Sequence, residues 1–352
     1  MKVKPLLEAV SAVFPAADHK GLVPEFKHLY FDEKYVQATN GSLFIRADLE
    51  EPCPKFAIDS EVFYALLKTV TSDTVELELS EKALTLKAKG MKSELALPGS
   101  PATGTIDFDV KEWTKVPDGL MKGLFLCRFT ACPDQTAGPL TGVRIEKDAI
   151  LSCDRWRISL YSVEAGAMAG VTLPVDLLDE LKGYASQIKG YAVKDQTIYF
   201  DLGRARIGAK LVQGTFPSDK LFGAMDQVEG ASGLTLTADL KEKIVLASKR
   251  QNILEGNVLE FDRMSKFTYT SANKKGKIIL YAENQATGTI EEVIECKGVK
   301  GEFSFFINPM FLLEMFEETD SLLYSEKHTV ACFEGNQFMH LVKTKVPEAQ
   351  GA

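Results

Sequence analysis

The sequence predicts an α+β protein built from three copies of one unit, each with antiparallel sheet outside and two helices on its inner face. Three observations predict it. A strand-to-helix segment recurs three times, alternating two-strand patterns flank each recurrence, and a further helical stretch precedes each set. Linker-like composition in "LPGSPATG" (97–104) and "GAMDQVEGASG" (223–233) separates the copies. The predicted domains are 1–105, 106–228 and 229–352.

The elements follow in chain order. In "MKVKPLLEAVSAVFPAAD" the apolar residues Leu6, Leu7, Val10, Val13 and Phe14 fall on one face of a helix over 3–14. A cleaved signal is the alternative, but Glu8 interrupts its apolar run. The next strand pair is "KYVQATNGSLFIRADLE", with counterparts in "AILSCDRWRISLYSV" and "KIILYAENQATGTIEEVIE". The recurrent segments come next: "FAIDSEVFYALLKTV" (56–70), "VTLPVDLLDELKGYA" (171–185) and "FFINPMFLLEMFEET" (305–319). Counting from Ile58, Leu173 and Ile307, apolar residues stand four, five and eight positions on, which one helix face accommodates. Val62, Leu177 and Phe311 hold the first of those places. A period-2 hairpin closes each set: "TVELELSEKALTLKAKG", "YAVKDQTIYFDLGRARIGAKL" and "HTVACFEGNQFMHLVKT". The leading helices of the second and third sets are read at about 118–131 and 238–250. Sheet with helices on one face buries all these stripes together.

Composition narrows the function. The net charge of −8 excludes a wholly basic nucleic-acid binder but permits a basic patch on an acidic body. Cys53, Cys127, Cys132, Cys153, Cys296 and Cys332 form no C-x-x-C pair, and the four histidines are scattered. Reduced thiols in a cytoplasmic protein, with no metal and no cofactor, are the expectation. No stretch is long and apolar enough for a membrane span. Cys153-Asp154 raises the possibility of a thiol enzyme, yet no histidine lies within about 120 residues in sequence, and no phosphate loop or nucleophile-elbow motif occurs. No catalytic residue is assigned.

The ordered set of segments resembles the bacterial DNA polymerase III beta subunit, the sliding clamp. "AKLVQGTFPSDKLF" (209–222) is similar to the family's S-K-L followed by D-G-R-F-P-D-Y, and "LSCDRWRISLYS" (151–162) sits where clamps carry T-D-G-H-R-L. The segment around Leu173–Leu181 is similar to I-V-P-R-K and its helix. "ILYAENQATGTIEEVIE" resembles A-N-N-P-E-Q-E-E-A-E-E, and "FSFFINPMFLLEMF" resembles I-G-F-N-x-x-Y-L-L-D-x-L. The resemblance covers essentially the whole chain.

It implies a polymerase processivity factor: a head-to-tail homodimer closing a ring around double-stranded DNA without sequence preference. DNA polymerase and clamp loader would bind through short peptide motifs. The alternative is a clamp-fold scaffold or decoy that does not close a ring. Position by position, the resemblance places the partner-peptide pocket at Leu140, Trp156, Arg157, Ile158, Pro217, Phe222 and Leu341; several of these have core packing as their alternative. It matches Lys20 to a DNA-contacting arginine, and Val245 and Leu246 to apolar residues of the ring joint, the dimer interface, with core packing as their alternative. The basic lumen it implies would take its other DNA-facing cations from the leading helices, at Lys122, Arg128, Lys249 and Arg250. Helix lysines can equally be a solvated face, and the second helix of the third set is acidic, with Glu314, Glu317, Glu318 and Asp320. Arg155 stands for the family's glycine and Trp156 for its histidine. "HLVKTKVPEAQGA" replaces the family's terminal M-P-M-R. These departures imply a divergent member, of the kind a phage or mobile element encodes.

Overall fold

Alternation of apolar residues at helical spacing produces seven α-helices among the described residues: α1 (Val3–Val13), α2 (Ser60–Thr69), α3 (Leu120–Cys127), α4 (Val175–Lys182), α5 (Ser218–Met225), α6 (Ala238–Leu254) and α7 (Pro309–Met315). The structure, a computed structural model, describes residues 1–19, 23–98, 108, 110–228, 231–256, 258, 262–272, 275–298, 301–316 and 319–346. Lys20, Glu317, Glu318, the Glu314 side chain and most of the 97–104 linker lie outside them. Side chains fix where the recurrent helices begin. Asp59 accepts a hydrogen bond from the Val62 N–H at the start of α2, and Asn308 accepts one from the Met310 N–H at the start of α7. Pro309 then fills the first turn of α7, where a missing N–H costs nothing.

The same order of elements occurs three times. Two compact units cut across it: Met1–Met121 with Leu173–Val212, and Lys122–Thr172 with Gln213–Ala352. Sheet continuity accounts for that partition. In the first unit, a seven-stranded antiparallel sheet runs in the order Gly190–Lys194, Thr197–Asp201, Ala205–Lys210, Leu43–Asp48, Tyr35–Thr39, His28–Phe31, Phe56–Asp59. The last strand of the second set thus joins the first set, with Ile207 opposite Ile45. α1 packs on the strands at 35–39 and 43–48 and buries Val3, Leu6, Ala9, Val10 and Val13. A separate three-stranded sheet comprises Glu76–Leu79, Ala83–Ala88 and Met91–Ala96.

In the second unit, an eight-stranded sheet includes Ala149–Cys153, Arg157–Ser162, Phe338–Lys343, Val330–Glu334 and Ser321–Ser325 as consecutive neighbours. Here the last strand of the third set joins the second, with Ser159 opposite His340. A four-stranded sheet has the order Gly288–Lys297, Lys275–Asn284, Ser265–Ala272, Phe303–Ile307. α6 and α7 pack together around Leu240, Ile244, Phe267, Phe305, Leu312 and Met315.

Four details differ from the sequence reading. The hairpins predicted at 74–90 and 191–211 are each part of a three-stranded sequence of pairs, because the polar turns at 89–90 and 203–204 admit one more strand. Residues 223–228 are helical rather than linker, ending α5 and a following 3-10 turn, where Met225 and Val228 are buried. α6 runs to Leu254, four residues past its predicted end. In α2 the buried face passes through Phe63 and Leu67, so Val62 is exposed whereas its counterparts Leu177 and Phe311 are buried.

Candidate functional site

In the second unit the strand Arg157–Ser162 lies between Ala149–Cys153 and Phe338–Lys343, and side chains alternate between the two faces of the sheet. The alternation sorts the predicted pocket residues. On one face, rows run across the strands: Leu151, Leu160, Met339, Glu334 in one, and Cys153, Ile158, Leu341, Cys332 in the next. Two apolar clusters cover the margins of this face. Phe216 packs on Leu151 and Cys153, with Leu140 and Leu221 beside it. Met225 and Val228 pack on Val330, Cys332 and Leu341. Ile158 and Leu160 belong to both clusters and stay half-buried, as do Leu140, Leu221 and Met339. The result is an apolar strip between two covered margins. Trp156, 41% exposed, and Phe222, 39% exposed, stand nearby. Pro217 precedes α5 and is half-buried.

Arg157 does not line this strip. Odd and even residues of a strand face opposite ways, so Arg157 points away from the Ile158 side, and only 6% of it is exposed. Its Nε donates to Asp154 Oδ2 at 2.8 Å and its Nη2 to the Phe129 carbonyl at 3.0 Å, while the guanidinium lies 4.2 Å over the Phe311 ring. Asp154 Oδ1 also accepts the Trp156 and Arg157 N–H groups at 2.7 Å each. The ion pair therefore clamps the two-residue turn that presents Trp156. Leu341 is on the strip's face but buried beneath Met225 and Val228, so it is floor rather than wall. Sequence reasoning missed Leu160, Leu221 and Met339; the signal was available at Leu160, two residues beyond Ile158 on a period-2 strand.

The thiol question is settled by the same alternation. Cys153 is on the strip's face, opposite Ile158, whereas His340 pairs with Ser159 on the other face, its Nδ1 2.8 Å from the serine hydroxyl. Burial, with Asp154 and Cys132 adding to it, pushes the Cys153 thiol up to about 12. His340 is fully buried; desolvation first, then the Arg157 charge, holds its imidazole well below the usual range and thus neutral. A buried, protonated thiol with His340 on the opposite face of the sheet does not form a thiolate–imidazole pair with it.

The predicted DNA-facing residues that are described fall as follows. Lys122 is exposed on α3 and Arg128 half-buried in the turn after it. Lys249 and Arg250 are both exposed on α6, but Arg250 Nη1 donates to Glu292 Oε2 at 2.8 Å, tying the helix to the strand Gly288–Lys297. Val245 packs partly against the core, whereas Leu246 is 49% exposed. No helix among the described residues is long and apolar enough to cross a membrane.

Solved structures match this arrangement over its whole length. The sliding clamp of Bacillus subtilis aligns with a TM-score of 0.79 at 14% identity, covering 99% of this chain and 98% of that one. The beta subunit of Streptococcus pyogenes DNA polymerase gives 0.80 at 13% identity, with 99% of both chains covered. The chain has the sliding-clamp fold. The clamp of Bartonella birtlesii, solved bound to griselimycin, aligns at 0.77 and 17% identity over 98% of both chains. No family model matches the sequence, and no curated protein matches it. The likeness to clamps is therefore carried by the backbone, at identities of 13–17%.

Proposed function

We infer that the chain is a polymerase processivity factor: a head-to-tail homodimer of three-domain protomers (1–105, 106–228, 229–352) that encircles duplex DNA and holds partners through the apolar strip. One observation carries this reading. Within each protomer, the first sheet of one set continues into the second sheet of the next, once at Ile207–Ile45 and once at His340–Ser159. Two sheets are left without that continuation: the second sheet of the first set, ending on Met91–Ala96, and the first sheet of the third set, ending on Gly288–Lys297. They are the two halves of a third joint, and only another copy of the chain can supply the missing half in the same sense. Such heterologous contacts form a ring when the rotation closes, and closure removes two open strand edges.

The register follows from counting residues from each turn. Ser93 occupies the place of Ile207 and His340, and Ile290 that of Ile45 and Ser159. Ser93 is then opposite Ile290, both half-buried, and Lys92 opposite Glu291, both exposed. Burial phase and charge sign agree at this joint.

The test is solution mass by light scattering at micromolar concentration. A dimer of two 38.8 kDa chains is expected. A strict monomer instead favours a clamp-fold scaffold that does not close. In the cytoplasm, the partners of a closed ring would be double-stranded DNA, polymerase and clamp loader. Trp156→Ala with Phe222→Ala is expected to abolish polymerase capture while leaving the dimer intact.

A further inference from the structure

The strip in the second unit is chemically polarised, and its two ends differ in charge. Glu334 is in the row that contains Leu160 and Met339, a row continued by Ser321 on one side and, beyond Leu151, by Arg144, whose charge Glu146 takes up, on the other. At the other end, Lys343 continues the face of Met339 and Leu341, since residues two apart on a strand share a face. Its backbone N–H donates to the Trp156 carbonyl at 2.7 Å, which sets Lys343 opposite Trp156 across the strand pair. Lys343 is itself exposed. Arg155, the other cation of that turn, already faces Asp134 at 3.3 Å. Lys343 is thus the cation available at the Trp156 end, where a bound segment would leave the apolar floor.

We propose that the strip selects peptides whose apolar anchors are followed by a carboxylate, with Lys343 as the specificity-determining residue and Trp156 as the apolar wall beside it. The inference rests on the peptide-groove reading above. Spacing sets the geometry. An anchor seated over Ile158 and Leu341 is about 7 Å from the Lys343 row, two residues of extended chain at about 3.3 Å each. The carboxylate therefore belongs two residues beyond the last anchor in an extended peptide. Glu334 at the opposite end disfavours an acidic residue there, which gives the peptide a direction. An exposed pair of this kind contributes up to about 1 kcal/mol, or about fivefold in affinity at low salt.

The experiment uses the full-length protein and fluorescein-labelled nonapeptides bearing two leucines in a Gly/Ser background. Glu, Gln or Lys is placed two positions beyond the leucine pair, on its C-terminal side in one set and its N-terminal side in another. In one of the two sets, anisotropy is expected to rank Glu over Gln by about fivefold and Gln over Lys. The difference is expected to vanish in Lys343→Gln and to reverse in Lys343→Glu, both substitutions at an exposed position. Equal binding of the Glu, Gln and Lys peptides, lost in Trp156→Ala, overturns the selectivity and leaves the groove standing. Absence of binding by every peptide, with Trp156 fluorescence unchanged, removes the groove reading as well.

Discussion

At Arg157 and Asp154 a buried ion pair holds the most exposed aromatic of the candidate site. Both side chains are nearly inaccessible, and Asp154 spends its remaining oxygen on two backbone N–H groups. Such a pair is weak evidence for stability, but removing one partner strands the other charge without water. Arg157→Ala is therefore expected to cost about 3–5 kcal/mol, read as a fall in the urea midpoint followed by Trp156 fluorescence. Glu255 is the opposite case. It is almost wholly buried at the C-terminal end of α6, where the helix dipole already disfavours negative charge, and among the described residues its Oε2 finds no hydrogen-bond partner. Burial pushes its carboxyl up to about 6, against the lowering effect of the Met264 N–H and Arg263. A raised carboxyl means that the folded chain holds a proton which the unfolded chain has released, so stability falls as pH rises from the ordinary carboxyl range through about 6. Glu255→Gln is expected to raise stability at pH 7 by about 1–2 kcal/mol and to flatten that slope. Calorimetry at pH 5 and pH 7 checks both; an unchanged slope refutes the assignment.

The joints show how one backbone arrangement acquires different surface chemistry. In the second unit, the outward pairs across the joint are Leu160–Met339 and Ile158–Leu341, apolar and partly open. In the first unit the corresponding pairs are Arg46–Arg206 and Phe44–Gly208. There Phe108 packs against Phe44 and Tyr199, Arg46 lies 4.7 Å over the Phe108 ring, and Val110 and Trp113 extend the cover. Gly208 is required: a Cβ would stand 2.1 Å from the Phe44 ring. The chain's own segment therefore occupies the face that the second unit leaves open. At the proposed joint between copies the outward pair is Lys92–Glu291. Lys92→Glu or Glu291→Lys alone puts like charges at both joints and is expected to shift sedimentation toward monomer. An equimolar mixture of the two, whose heterodimer has opposite charges at both joints, and the double variant in one chain are each expected to restore the dimer. Failure of the double variant to restore it rejects this register. Much of this was legible in the sequence. The three recurrences, the flanking hairpins and the position of Trp156 in a strand turn all follow from periodicity. What periodicity could not supply was the phase of each face. The resemblance places Arg157 in the groove with Trp156 and Ile158, whereas strand alternation sends it to the other side; Leu160, two residues beyond Ile158, shares the strip's face. The helical character of 223–228 is hidden by the glycines at 223, 230 and 233 that give the stretch its linker composition, which tertiary packing of Met225 and Val228 overrides.

For the molecule as a whole, the proposed function requires an acidic chain of net charge −8 to hold DNA by some means other than tight binding. Topological enclosure provides one: a closed dimer leaves only by opening or by sliding off an end, so its phosphate contacts can be few and sequence-blind. Lys249 is exposed on α6, whereas the charge of its neighbour Arg250 is taken up by Glu292, so Lys249 is the better single probe of those contacts. Dimers assembled in the presence of nicked circular DNA are expected to co-elute with it in gel filtration at moderate salt and to be released when a restriction enzyme linearises the circle. Lys249→Glu is expected to leave retention on circles intact while reducing the salt dependence of residual binding to linear DNA by about one phosphate contact per chain. Equal loss from circular and linear DNA overturns enclosure, whatever the dimer measurements give.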